Sequence, residues 1–178
     1  LKTYKPYKFI KFINIRNSVS KNFSKKKNYK KNKKYVIFMK CRDVSVKRID
    51  MFLKIKNLFK DNYENIDFII ENQNNIISKN FKLIKKELIS YLKNKNVIFL
   101  MLSDTEGMPN TVSDAILKDM IVISRDIGDV KEIIPQDNIV NSDYNQIFYR
   151  LKEIVFMSDK EWDFYINLQR RLLKKYIS

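Results

Sequence analysis

Four short runs of almost uninterrupted apolar residues, spaced by stretches of helical periodicity, constrain this chain more than any other feature. They are Tyr35-Val36-Ile37-Phe38-Met39, Ile66-Asp67-Phe68-Ile69-Ile70, Asn96-Val97-Ile98-Phe99-Leu100-Met101-Leu102 and Met120-Ile121-Val122-Ile123-Ser124. Apolar runs of this length with polar flanks read as buried strands. They lack the alternation of a strand with one face in water. Both faces must therefore be covered, as in a parallel sheet between layers of helices. Between the runs, Ile49, Phe52, Leu53 and Phe59 predict an amphipathic helix over about 45–60, and Phe81, Ile84, Leu88 and Leu92 mark a second helix face. Another helix is expected to begin near Pro109, where the missing proline N–H would be unpaired anyway. Residues from about 144 onward read as two helices, with Trp162, Phe164, Leu168 and Leu172 as buried anchors. Strands alternating with helices at this spacing predict an α/β fold with a Rossmann-like parallel sheet. No internal repeat is visible. The expected organisation is a basic linker and lead-in segment over 1–34, a Rossmann-like domain over 35–143, and a helical C-terminal extension over 144–178.

Size and composition agree with that fold. The chain has 178 residues, of which 44% are hydrophobic, enough for one domain with a real core. It begins at Leu1 rather than Met, so a fragment, a processed chain or a trimmed chain is expected. The single cysteine, Cys41, excludes a disulfide framework and fits a reducing compartment. With no histidine and one cysteine, a zinc site is not expected. No apolar run reaches the roughly 18 residues that a membrane helix requires. The N-terminal segment has no continuous apolar core, so it is not a signal peptide. A cytoplasmic protein is expected, with peripheral contact to the inner face of a membrane left open.

The formal charge is +16, from 36 Lys and Arg against 20 Asp and Glu. Such an excess attracts nucleic acid, anionic lipid or phosphorylated small molecules. Lysine, asparagine and isoleucine are abundant throughout, however, and glycine is scarce, a bias that an AT-rich coding sequence produces without functional meaning. Most of the charge is read as that bias; the rest favours an anionic substrate or a membrane surface. The run Lys25-Lys26-Lys27-Asn28-Tyr29-Lys30-Lys31-Asn32-Lys33-Lys34 reads as a solvated linker. A basic tract with aromatics can grip single strands. No RNA-binding motif accompanies it, and nucleic acid is not an expected partner.

Ligands of parallel-sheet folds sit beyond the carboxyl ends of the strands. The most informative segment there is Ser103-Asp104-Thr105-Glu106-Gly107-Met108-Pro109-Asn110. It leaves a buried strand, turns, and opens a helix. Gly107, one of only two glycines, would let the backbone approach a ligand or adopt positive φ. Free N–H groups at the helix start make an anion or hydroxyl site. Glu106 and Asp114, eight positions apart, can accept hydrogen bonds from sugar and ribose hydroxyls. The plainer alternative is that Asn110 caps the helix and Glu106 supports its first turn. The second glycine, Gly128, lies in Asp126-Ile127-Gly128-Asp129-Val130-Lys131-Glu132. It is either another close backbone approach or a bend before a short helix. After the first strand, Arg42 and Lys47 have the chemistry to clamp a diphosphate, although any one lysine here can be simple surface. Arginine is the rarer cation in this chain, so Arg42 carries more information. Cys41 has no histidine to activate it and reads as a small packed residue.

In this order, the pieces resemble glycosyltransferase family 4, whose C-terminal, donor-binding domain is one half of a GT-B fold. That domain carries an apolar strand ending in Gly-Arg, a Lys a few residues on, and then Ser-x-x-Glu-Gly-x-Pro. An acid follows eight positions after that Glu, then a strand, then Asp-x-Gly-Gly-x-x-Glu. The matches here are Arg42, Lys47, Ser103, Glu106 with Gly107 and Pro109, Asp114, and Asp126 through Glu132. Asn14-Ile15-Arg16-Asn17-Ser18-Val19 also looks like the family's Ile-Pro-Asn-Gly-Val lead-in, so the resemblance spans about 14–140. It implies a hexosyltransferase-type enzyme of polysaccharide or other glycan synthesis. Such an enzyme moves a sugar from a nucleotide-sugar donor to a glycan or lipid-linked acceptor, with retention and typically without a metal or other cofactor. By the same resemblance, Arg42 and Lys47 hold the donor diphosphate, the leaving-group charge being the term that dominates such chemistry. Glu106 and the amides near Gly107 and Met108 contact the sugar; Pro109, Asn110 and Gly128 shape the donor site; Asp114 binds ribose.

Three positions depart from the family pattern. Cys41 replaces the glycine before the arginine, Asp114 the second Glu, and Asp129 the second glycine of the later loop. The segment between Ile70 and Ser103 is short and is expected to hold one strand rather than two, without the usual nucleobase loop. The sequence holds no N-terminal acceptor domain, and a GT-B enzyme reacts between two domains. The chain alone is therefore expected to bind a donor weakly and to need a separate acceptor-domain chain for transfer. A degenerate, non-catalytic GT-B-like domain and a polyanion-binding module acting through residues 1–34 are the rival readings.

Overall fold

A computed structural model describes residues 34–42, 45–59, 63, 65–71, 76–78, 87–88, 91–92, 95–107 and 110–178. The four apolar runs form β1 (Tyr35–Lys40), β2 (Ile66–Glu71), β4 (Asn96–Met101) and β5 (Ile121–Arg125). Two shorter strands, β3 (Ile76–Ser78) and β6 (Ile139–Val140), complete a sheet of order β3-β2-β1-β4-β5-β6. Strand β1 lies centrally, with Ile37 beside Phe68 of β2 and Ile98 of β4. Among the described residues five strands are parallel and β3 alone runs antiparallel, at the edge beside β2. The segment between Ile70 and Ser103 thus holds, among the described residues, two strands where one is expected. At three and two residues, β3 and β6 are too short to carry a period of their own.

Among the described residues, the helices whose full extent is described are α1 (Ile49–Leu58), α2 (Asn110–Leu117), α3 (Tyr144–Phe156) and α4 (Asp159–Ile177), with a 3-10 turn at Ser45–Lys47 ahead of α1. Because strand side chains alternate between faces, β1, β2, β4 and β5 each feed two cores. On one face Tyr35, Ile37, Met39, Phe68, Ile98 and Leu100 meet Met51, Phe52 and Ile55 of α1 and Ile147, Leu151 and Ile154 of α3. On the other, Val36, Phe38, Val97, Phe99 and Val122 meet Val112, Ala115 and Ile116 of α2. The expected face of α1 is corrected at Leu53, which is exposed while Met51 and Ile55 are buried. At 100° per residue, Leu53 points away from the arc shared by Met51, Phe52, Ile55 and Phe59. Phe81 and Ile84 lie outside the described residues, as does the lead-in at 14–19; Leu88 and Leu92 are helical.

Helix α4 starts with a capping box between Ser158 and Glu161. Its first half places Trp162 and Ile166 in one core, and its second half places Leu173 and Tyr176 in the other. The anchors expected on it are therefore partly corrected. Trp162 is buried, Leu168 and Leu172 are half-buried, and Phe164 is exposed, about 200° round the helix from Trp162. Gln169 is fully buried midway. Its Oε1 accepts from the Val122 N–H at 2.8 Å and its Nε2 donates to the Met120 carbonyl at 3.0 Å. Asn138 Nδ2 donates to the Val122 carbonyl at 2.8 Å. β6 pairs only with Ser124 and Arg125, so these side-chain amides serve the part of the β5 edge it does not reach. Arg150 closes the network on the Asn138 Oδ1, through Nε at 2.9 Å and Nη2 at 2.8 Å. Among the described residues no helix is long and apolar enough to cross a membrane.

Candidate functional site

Parallel strands deliver their following loops to one edge of the sheet, and here three of those loops meet. The 3-10 turn after β1 ends at Lys47, and the loop after β4 carries Glu106. Lys47 Nζ donates to Glu106 Oε1 in a part-buried ion pair whose partners stand 59 positions apart in sequence. The side chains are only 14% and 22% exposed, so water screens the pair less than it would a surface pair. Two residues that the resemblance assigns to one site are thus in direct contact.

A second cluster lies beside the first. The Asp104 carboxylate accepts from the Arg48 guanidinium at 3.3 Å and from Arg125 Nη1. Arg125 Nη1 also donates to the carbonyl of Ser103 at 3.2 Å, and its Nη2 to the Ser142 hydroxyl at 2.7 Å. The Asp104 backbone N–H donates to the Val46 carbonyl at 2.8 Å, tying the β4 loop to the β1 loop. Arg48 has left-handed backbone geometry, φ 56° and ψ 46°, at the start of α1, and its Nε donates to Asp50 at 3.2 Å. The hydrogen bond from Arg125 holds the Asp104 carboxyl below the usual carboxylate range, and that from Arg48 does the same for Asp50. Both acids have lowered folded pKa values. Their contribution to stability is complete above about pH 4, the ordinary range of an unfolded carboxyl. It is lost as pH falls through the lower folded values. Acid titration followed at the Asp104 and Asp50 carboxyl carbons is expected to place both midpoints below that range; ordinary midpoints would show that the arginine contacts do not form.

The two glycines of the chain meet at the same edge. Gly128 sits at φ +49°, and a Cβ built there would lie 1.6 Å from the Gly107 carbonyl oxygen. Gly107 has no positive φ, and a Cβ on it would meet nothing within 4 Å. The positive φ expected as one option at Gly107 therefore belongs to Gly128, which bends the chain before the short 3-10 turn Val130–Glu132. The close backbone approach at Gly128 is to the Gly107 loop. Next to it, the Asp129 carboxylate accepts from the Tyr176 hydroxyl at 2.7 Å, so this acid at a glycine position of the family pattern fastens the end of α4.

The remaining candidates lie along the same edge. Arg42 is exposed just beyond β1. Cys41 is half-buried against the core, and its N–H donates to the Glu71 carbonyl at 2.9 Å. Asn110 and Asp114 are exposed four apart on α2, hence on one side of that helix. Met108 and Pro109 lie outside the described residues. Among the described residues no cluster of three or more His, Cys, Asp or Glu side chains is arranged to hold a metal ion. Sequence reasoning missed Arg48, Asp104 and Arg125. The scarcity of arginine that singled out Arg42 applies equally to Arg48 and Arg125.

The fold has solved counterparts. The chain is similar to the C-terminal domain of a glycosyl transferase group 1 family protein, LpcC, from Francisella tularensis. The match has a TM-score of 0.61 and 18% identity, over 82% of this chain and 87% of that one. The fold is that of a GT-B C-terminal domain. A structure described as trehalose-6-phosphate from E. coli, bound with UDP-2-fluoro glucose, gives a TM-score of 0.61 at 12% identity, over 82% of this chain and 41% of that one. A TarM mutant from S. aureus, in complex with Fondaparinux, alpha-GlcNAc-glycerol and UDP, gives 0.56 at 18% identity, over 94% and 36%. The chain thus spans well under half of these two larger proteins. No family model matches the sequence, and no curated protein matches it.

Proposed function

We propose that this chain is the donor-binding domain of a glycosyltransferase of the family 4 kind, taking a nucleotide-sugar as substrate. The observation that carries this is the Lys47–Glu106 pair, assembled from two loops at the carboxyl edge of a GT-B C-terminal fold. In this reading Lys47 and the exposed Arg42 face the donor diphosphate and offset the charge that grows on the leaving nucleoside diphosphate. Glu106, oriented by Lys47, accepts from a hydroxyl of the donor sugar. The amides near Gly107 and Met108 contact the sugar, Pro109 and Asn110 help to shape the donor site, and Gly128 holds the Gly107 loop in place. Asp114, on the exposed side of α2, takes the ribose hydroxyls. No metal or cofactor enters this scheme. Transfer of the hexosyl group, with retention, to a glycan or lipid-linked acceptor requires an acceptor-binding domain, in the same protein or a separate chain, at a cytoplasmic membrane face or in the cytosol.

The test is a thermal-shift screen against UDP, GDP and their sugar conjugates, since a ligand of the native state raises Tm as ln(1 + [L]/Kd) grows. A shift with one nucleotide series is expected. Glu106→Gln keeps the shape of the side chain but removes its charge, and is expected to weaken nucleotude-sugar binding by roughly tenfold, the effect of about 1.4 kcal/mol. Arg42→Ala should weaken UDP and the conjugates alike, because it acts on the diphosphate. A cooperative melt with flat curves across the panel would favour a degenerate domain, a reading that the Asp129–Tyr176 contact supports by giving a family glycine position a purely structural role.

A further inference from the structure

The Asp104 cluster is used by nothing in the scheme above, yet it touches both loops that the scheme depends on. The segment 104–106 runs beside 46–48 and is joined to it three times. The Asp104 N–H reaches the Val46 carbonyl, the Asp104 carboxylate reaches Arg48, and Glu106 reaches Lys47. Arg125 holds the same segment from the β5 side, through the Asp104 carboxylate and the Ser103 carbonyl. Arg48, immediately after Lys47, is in a left-handed conformation that is unfavourable for any residue with a Cβ. It is kept there with its guanidinium on Asp104 and Asp50.

We propose that Asp104 is a positioning residue: it holds the backbone at Lys47-Arg48 and the Glu106 loop in one register, so that Lys47 and Glu106 meet at the sheet edge. Asp104 touches neither member of the pair through its own side chain. It grips the 46–48 loop through Arg48 and through its own N–H on Val46, and it is itself part of the Glu106 loop, with Arg125 as the fixed point on β5. This inference goes beyond the proposed function and rests on it only for the consequence for the donor.

The test uses Asp104→Asn, which preserves shape and removes the charge, with Asp104→Glu as the conservative control. Amide exchange in the ligand-free protein is expected to rise about tenfold at residue 104, whose N–H makes the Val46 bond, while Tm falls by less than about 3 °C. Nucleotide-sugar affinity, measured by titration at 0.05 M and about 0.5 M salt, is expected to fall several-fold at both, because positioning is not screened as bare charge is. Asp104→Glu should recover part of each loss. Unchanged exchange at residue 104 would overturn the proposal whatever the nucleotide does. Affinity that rises in Asp104→Asn at low salt and returns to the wild-type value at high salt would overturn it too, leaving Asp104 as a competing charge. Wild-type protein that binds no nucleotide, together with faster exchange in Asp104→Asn, would support the positioning role and remove the donor reading instead.

Discussion

Gly128→Ala is expected to lower the melting temperature by roughly 10 °C, as a destabilisation of about 3 kcal/mol would in a domain of this size. Two costs combine. An alanine at φ +49° occupies left-handed backbone, and its Cβ would lie 1.6 Å from the Gly107 carbonyl oxygen. That oxygen is backbone, so no rotamer change relieves the contact and one of the two loops must move. If the Gly107 loop is the one that moves, it takes Glu106 with it, and nucleotide-sugar binding should then fall together with stability. Gly107→Ala is the control, since its Cβ would meet nothing within 4 Å and its φ is not positive. It should melt within about 1–2 °C of wild type, the range of an ordinary surface substitution. Any loss of nucleotide-sugar binding in Gly107→Val without loss of stability would then report a close approach to the ligand. Equal melting of the two alanine variants would rule out the contact between the loops.

Gln169→Met is expected to cost about 3 kcal/mol, again roughly 10 °C. Methionine matches the unbranched shape of glutamine but supplies no amide. The Val122 N–H and the Met120 carbonyl would lose their partners in a site where Gln169 is fully buried. Each orphaned buried group costs about 1–3 kcal/mol, whereas a partly exposed one would recover most of that from water. The specific signature is faster amide exchange at Val122, at the point where α4 crosses from one core to the other. If Val122 stayed as protected as in the wild type, the side-chain amide could not be its partner. A loss confined to Tm with no change at Val122 would point to packing rather than hydrogen bonding.

These two sites differ in how far the sequence foretells them. Gly128 stands out as one of two glycines, and its loop follows a strand, so a special backbone there is readable in advance. That its close neighbour is Gly107 is not, because the contact depends on β4 and β5 lying side by side. Gln169 gives no warning at all. Helical periodicity assigns apolar residues to a buried face, and a polar residue on that face reads as an interruption. It is buried because β6 leaves part of the β5 edge without a strand partner.

The functional candidates divide in the same way. Arg42, Lys47, Glu106 and Gly107 are legible as residue types placed just after strands, where parallel-sheet folds gather their ligands, and Asp114 by its spacing of eight from Glu106. The contact between Lys47 and Glu106, and the Arg48–Asp104–Arg125 cluster beside it, are not. What the sequence determined by itself was the set of long elements, β1, β2, β4, β5 and most of the helices, because a continuous apolar run or a 3.6-residue period is local information about burial. What only the tertiary structure decided was which polar groups meet. The order β2-β1-β4-β5 brings together loops that are distant along the chain. A polar side chain takes its partner from whatever that order places within hydrogen-bonding reach, a fact that no local pattern of hydrophobicity encodes.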